Sequence, residues 1–217
     1  MKNPSKLARR SYGDPCGIAR ALDAVGERWA LLIVRELLLG PRRFTDLKAG
    51  LHSASPNVLS QRLRELEAAG VVARRRAGGA VYGLTDWGRE LHPILLKLGV
   101  WGARSPVRPQ GSLSVDALLI ALESTFVRQR AAGLHAKIEL RLAEERFSVT
   151  VDDGTLDIAR GSLRAPDAVI ETEPATLRAV AFGDRKLADA RMKIRGDARV
   201  ARRFLQLFAR PRAALEN

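Results

Sequence analysis

The stretch Ser55–Gly70, SPNVLSQRLRELEAAG, decides how this chain is read. Ser55 is a favourable helix N-cap and Pro56 suits the first helical position, where its missing N–H costs nothing. Ala68 and Ala69 run into Gly70, which can take the left-handed conformation that closes a helix. Leu59, Leu63 and Leu66 fall within roughly 60° of arc at about 100° per residue and form one buried stripe. Asn57, Ser60, Gln61 and Arg64 point the other way. Asn and Gln can bridge adenine N6 and N7, Arg can bridge guanine O6 and N7, and Ser can bond either edge, so this face suits a DNA major groove. By itself the pattern also fits an amphipathic surface helix whose polar side is merely wet.

The flanks favour the first reading. Upstream, Asp14-Pro15 is a cap-then-proline signature for a helix carrying Ile18, Leu22 and Val25 up to Gly26. A second helix, Glu27 to Leu39, is apolar almost all round and stops at Gly40-Pro41, so it is expected at the domain centre or in a subunit interface. Arg42 and Arg43 introduce a short helix from Phe44 to Leu51, with Phe44, Leu47 and Leu51 inward. Two short helices joined by a tight turn, the second with a readable face, make a helix-turn-helix. Downstream, Val71 to Arg76, a turn at Ala77-Gly78-Gly79-Ala80, and Val81 to Leu84 predict a β-hairpin, placed as a wing. Arg74, Arg75 and Arg76 would lie beside the sugar-phosphate backbone, together with Arg42, Arg43, Ser55 and Arg62. A solvated charge run is the plainer alternative. Thr85 caps a helix with Leu91, Ile94, Leu98 and Trp101 at heptad-like spacing, and Pro93 inside it is expected to bend it. Residues 102–112 read as a linker.

Composition agrees with a globular nucleic-acid binder. Hydrophobic residues are 46% and charged residues 28% of 217, and 37 Lys or Arg against 24 Asp or Glu give +13, a balance that favours a polyanion. The first 104 residues hold 18 of the basic and 9 of the acidic residues, so most of the excess sits beside the reading helix. An anionic membrane surface is the competing partner, but no run approaches the roughly 18 apolar residues of a spanning helix. The basic start without an apolar segment is not a secretory signal, which places the protein in the cytoplasm. The single Cys16 and the scattered His52, His92 and His135 predict neither a disulfide nor a metal site, and no cofactor is expected. Without a Ser-His-Asp constellation, P-loop or paired-Gly nucleotide fingerprint, the chain is not expected to be an enzyme.

Several blocks occur in order: Cys16 before the first helix, the pair Arg28-Trp29, LGPRRF, SPNVLSQRLREL and YGLT. Over Cys16 to Trp101 the chain resembles bacterial winged-helix transcription regulators of the HxlR type. The resemblance implies a homodimer on a near-palindromic operator, with the first and last helices of the domain pairing. Ile18, Leu22, Trp29, Leu91, Ile94, Leu98 and Trp101 would then form the interface. Some members of that family use a cysteine at the start of the first helix to sense electrophiles, quinones or oxidants, and Cys16 holds the matching place. A helix N-terminus with Arg20 one turn on suits a thiolate, whereas a buried small hydrophobe is the plainer reading.

The second half alternates differently. An amphipathic helix at 113–130 precedes strands at 135–143, 146–152 and 155–160, a strand at 168–172, a helix after Pro174, a short helical piece beyond Gly183, a strand at 191–195 and a last helix at 197–209. The order, with DG before a strand, PDAVIET, PATL, KIRGD and a final FLQLF, resembles a sterol-carrier-like domain. Such a domain implies an apolar tunnel and a small apolar ligand; a scaffold packed on itself is the alternative.

The expected fold is therefore α+β, with an N-terminal arm (1–15), a winged helix-turn-helix domain (16–101), a linker (102–112) and a sterol-carrier-like domain (113–210). The expected function is sequence-specific regulation of transcription, more in keeping with a repressor, on double-stranded DNA. The rival readings are a lipid or apolar-ligand carrier with a non-specific basic winged domain, and an enzyme of the second domain acting on an apolar substrate.

Overall fold

The computed structural model describes residues 11–76, 79–107, 111–183 and 190–209, with the Arg76 side chain outside this set. The chain divides into two units, Met1–Leu91 and His92–Asn217.

In the first unit, Asp14 does not cap the first helix. Its Oδ1 accepts from the Cys16 amide at 2.8 Å, and α1 (Gly17–Val25) starts after Cys16. Helix α2 (Ala30–Leu37) starts three residues later than Glu27 because Trp29 stands at φ +79°, a left-handed conformation that interrupts helix geometry. Its Ala30, Ile33, Val34 and Leu37 are buried, so α2 is the centre of the unit, as its all-round apolarity requires. Arg42 and Arg43 do not merely lead into the next helix; they form a two-residue strand, β1, antiparallel to Val81 and Tyr82. Helix α3 (Phe44–Gly50) follows, its start held by Asp46 Oδ2 accepting from the Arg43 amide at 3.1 Å.

Helix α4 (Pro56–Ala68) has the expected bounds. Ser55 Oγ accepts from the Val58 amide at 3.3 Å, Leu59, Leu63 and Leu66 are fully buried, and Gly70 closes the end at φ +78°. Strands β2 (Val72–Arg76) and β3 (Ala80–Leu84) form the hairpin, giving the sheet order β1-β3-β2. Ala77 and Gly78 of the expected turn lie outside the described residues.

The helix expected from Thr85 to Trp101 is two helices, α5 (Asp86–Arg89) and α6 (Leu91–Gly102). Pro93 consequently lies in the first turn of α6, where no intrahelical amide bond is lost, and the expected bend has no cause. Gly88 lets α5 approach β2: a Cβ there would stand 2.1 Å from the Val71 carbonyl oxygen.

The second unit takes α6 from His92 onward, then α7 (Val115–Ser124), a 3-10 turn (Arg128–Ala131), β4 (His135–Leu142), β5 (Glu145–Asp152), β6 (Thr155–Arg160), β7 (Ala168–Thr172), α8 (Pro174–Ala181), β8 (Lys193–Gly196) and α9 (Ala198–Leu205). The helix expected to reach Arg130 stops at Ser124, where Thr125 Oγ1 bonds back to the Ala121 carbonyl at 2.9 Å. The five strands run β6-β5-β4-β7-β8, antiparallel except for the β4–β7 pair. Alternation along the strands puts Ile138, Leu140, Phe147, Val149 and Ile170 on a buried face, and Leu118, Leu119, Leu122, Leu177 and Phe204 of the helices are equally buried. Each large side chain so buried stabilises the fold by about 1.5–3 kcal/mol. The helical piece expected beyond Gly183 lies outside the described residues.

Candidate nucleic-acid interface

The burial of the leucine stripe forces the opposite side of α4 outward. Asn57, Gln61 and Arg64 are exposed and Ser60 is half-buried. Gln61 Nε2 donates to Glu65 Oε1 at 3.0 Å, which leaves the amide oxygen of Gln61 facing solvent as an acceptor. The Ser55 hydroxyl is committed to the helix cap.

Arg62 departs from its expected place on the phosphate backbone. Its guanidinium lies 3.3 Å from Glu27 and also pairs with Glu65, and its side chain is only 16% exposed. It therefore ties α4 to the loop before α2. The i,i+3 spacing of Arg62 and Glu65 signalled half of this arrangement in the sequence; Glu27, 35 residues away, gave none.

The wing gains a third strand that sequence reasoning missed, and that strand sorts the cations. Arg42, Tyr82 and Arg74 are register partners, as are Arg43, Val81 and Arg75. Directly opposed residues share a face and adjacent residues alternate, so Arg42 and Arg74 flank Tyr82 on one face while Arg43 and Arg75 flank Val81 on the other. Arg74 lies 5.8 Å from the Tyr82 ring centroid, and Tyr82 is buried. Arg43, Arg74 and Arg75 are exposed and Arg42 is half-buried. The Arg76 side chain lies outside the described residues.

The residues expected at a dimer interface belong to both units. Ile18 is 73% exposed on α1, with Leu22 also exposed and Trp29 half-buried beside the Arg28 guanidinium. On α6 no residue is buried: Ile94, Leu98 and Trp101 are exposed, Trp101 to 74%, and Leu91 is half-buried. Cys16 is exposed, which sets aside the buried-hydrophobe alternative within one chain.

Within the second unit, α6 is held to α7 by His92 Nε2, 2.9 Å from Glu123 Oε2. That hydrogen bond raises the His92 pKa; burial opposes it, and the charges of Glu123 and Asp157 add to it. The same unit carries a cleft of about 540 Å³ lined by Arg141, Arg146, Glu171, Glu173, Arg191 and Lys193 among others, and a second of about 550 Å³ lined by Arg130, Arg203, Gln206 and Leu207. Charged and polar side chains contribute to the lining of both, with Leu207 in the second. Among the described residues no group of His, Cys, Asp and Glu could hold a metal ion, and no helix is long and apolar enough to cross a membrane.

Comparison with known proteins gives the family of the helix-turn-helix region. The HTH-type transcriptional regulator YvaP of Bacillus subtilis is 43% identical over 86 residues, which span 38% of this chain and 80% of YvaP, and the HxlR-like helix-turn-helix family matches residues 24–108. The chain belongs to the HxlR-like helix-turn-helix family. This HxlR-like chain is also similar to the HTH-type transcriptional regulator Rv3095 of Mycobacterium tuberculosis, 40% identical over 49% of this chain and 68% of that one. Among solved structures, quinone-bound YodB of B. subtilis is 30% identical over 39% of the HxlR-like chain and 93% of YodB, with a TM-score of 0.36. Residues 116–209 match the SCP-2 sterol transfer family. The HxlR-like protein thus joins the helix-turn-helix domain of a DNA-binding transcription regulator to a domain similar to the SCP-2 sterol transfer family.

Proposed function

We propose that the protein is a homodimeric, sequence-specific regulator, acting as a repressor on double-stranded DNA in the cytoplasm. One observation carries this reading: α4 buries its leucines completely and turns Asn57, Gln61 and Arg64, with Ser60 beside them, to solvent. These four side chains read bases. Arg43 and Arg75, with Arg42, Arg74 and Arg76, hold phosphates, and Ser55 presents the helix end to the backbone.

Self-association covers the apolar rows of α1 and α6, namely Ile18, Leu22, Trp29, Leu91, Ile94, Leu98 and Trp101. The functional boundaries in this reading are residues 16–101 for reading and dimerisation, 102–112 for the linker and 113–210 for effector binding. A small apolar molecule in the second domain acts by population shift. Through α7 and the His92–Glu123 contact it repositions α6, and the recognition helices no longer match half-sites about 34 Å apart. Cys16, exposed at the start of α1, offers a thiol-based route to the same end. No turnover is part of this mechanism.

Selection from random duplex DNA at near-physiological salt tests the reading. Enrichment of a pseudo-palindrome is expected. Binding that enriches nothing and vanishes as salt rises would leave a basic ligand carrier instead. For the thiol route, Cys16→Ser abolishes diamide-triggered release of the selected duplex; an unchanged response removes that route.

A further inference from the structure

The cleft of about 550 Å³ beside α9 is built around a reciprocal clasp of two arginines. Arg130, from the 3-10 turn, reaches the end of α9, its Nη1 donating to the Gln206 carbonyl at 3.0 Å and the Phe208 carbonyl at 2.8 Å. Arg203, from α9, reaches back, its Nη2 donating to the Ala132 carbonyl at 2.7 Å. Each guanidinium is thereby oriented by neutral carbonyls. No carboxylate lies within ion-pair distance of either one among the described residues.

Arg130, Arg203 and Gln206 are exposed, and their arrangement differs from that of the partly buried arginines of the unit. Arg160 is neutralised by Asp116 and Glu145, and Arg141 by Glu139 at 2.7 Å. Carbonyl bonds fix the position of a cation without cancelling its charge, and each fork has five N–H donors, of which the clasp uses few. Capping the end of α9 accounts for one amino group of Arg130 and offsets about half a charge of the helix dipole. A surplus of positive charge remains over the cleft, with the Gln206 side chain beside it as a further donor.

We infer that Arg130, Arg203 and Gln206 form an oxyanion site for a soluble, phosphate-bearing small molecule. Two fixed guanidinium forks match a phosphoryl dianion better than a single carboxylate. Among the described residues, the large exposed apolar residues of this unit are Ile94, Leu98, Val100, Trp101, Val107 and Leu113. None belongs to the 3-10 turn or α9, so the apolar insertion that accompanies headgroup binding at a membrane has no side chain here. The site is independent of DNA binding and of any apolar ligand in the domain.

Equilibrium dialysis of the full chain against inorganic phosphate, at ionic strength held constant with chloride, tests it. Saturable binding of one phosphate per chain is expected, weakened about ten- to a hundredfold in Arg203→Gln. Gln206→Glu, which keeps both arginines and adds a carboxylate, is expected to weaken binding similarly without disturbing the clasp. Arg164→Gln, at an exposed position between β6 and β7, is expected to change nothing. Binding that never saturates, that is equal in all variants, or that is lost in Arg164→Gln alone overturns the site. Failure to bind phosphate, with co-sedimentation on phosphatidylglycerol vesicles that Arg203→Gln abolishes, would overturn the soluble-ligand assignment in favour of a lipid headgroup.

Discussion

The Arg62 guanidinium stands 3.3 Å from the Glu27 carboxylate and also holds Glu65, so a residue on the proposed DNA-reading helix serves its attachment to the domain. Arg64, two positions on, is exposed. Arg62→Ala is therefore expected to lower stability by about 1–3 kcal/mol in urea unfolding while leaving base preference intact. Arg64→Ala is expected to leave stability alone and relax preference at one base position by about 1–3 kcal/mol. Competition binding with single-base operator variants separates the two. Uniform loss of affinity in both would remove Arg64 from the reading face.

The two faces of the wing predict unequal arginines. Arg75→Ala is expected to flatten the slope of log K against log salt by about 1, and Arg74→Ala, whose guanidinium lies over Tyr82, by less. Equal slopes in both variants would mean that the strand register does not decide which cations meet phosphate.

The raised pKa of His92 makes the α6–α7 contact pH-dependent. The folded state binds the proton more tightly than the unfolded chain does. The stabilisation is therefore complete below the ordinary histidine value near 6.5 and is lost as pH rises through the raised folded value. With the His92 side chain 37% exposed, solvent screening keeps the effect to under about 1 kcal/mol. Thermal melts from pH 5.5 to 8.5 should show this loss in the wild type and a flatter profile in His92→Asn; identical profiles would show that the contact stores no proton-linked energy.

Asp116 is 1% exposed and paired with Arg160, which also holds Glu145 and stacks 4.6 Å from the Phe147 ring centroid. Asp116→Ala leaves Arg160 half-compensated in a partly buried place and is expected to destabilise the second unit by about 3 kcal/mol. A change below about 1 kcal/mol in denaturant unfolding would mean that Glu145 alone satisfies the guanidinium.

Local chemistry in the sequence determined α4, its serine cap, its glycine stop and its leucine stripe, because capping, left-handed closure and 3.6-residue periodicity act within a dozen residues. The same holds for the hairpin Val72–Leu84 and for the alternating strands of the second unit, where burial of one face imposes a period of two. Tertiary structure decided what depends on partners far along the chain. Arg42 and Arg43 became a strand because β3 lay alongside to take their backbone bonds. Arg62 turned from solvent because Glu27 was folded against it. Arg130 and Arg203 were two basic residues without assigned partners until the chain brought the 3-10 turn to the end of α9, where Arg130 found the Gln206 and Phe208 carbonyls and Arg203 the Ala132 carbonyl. Backbone propensity is a property of neighbours in sequence, whereas the state of a charge depends on which groups the fold brings within a few ångströms.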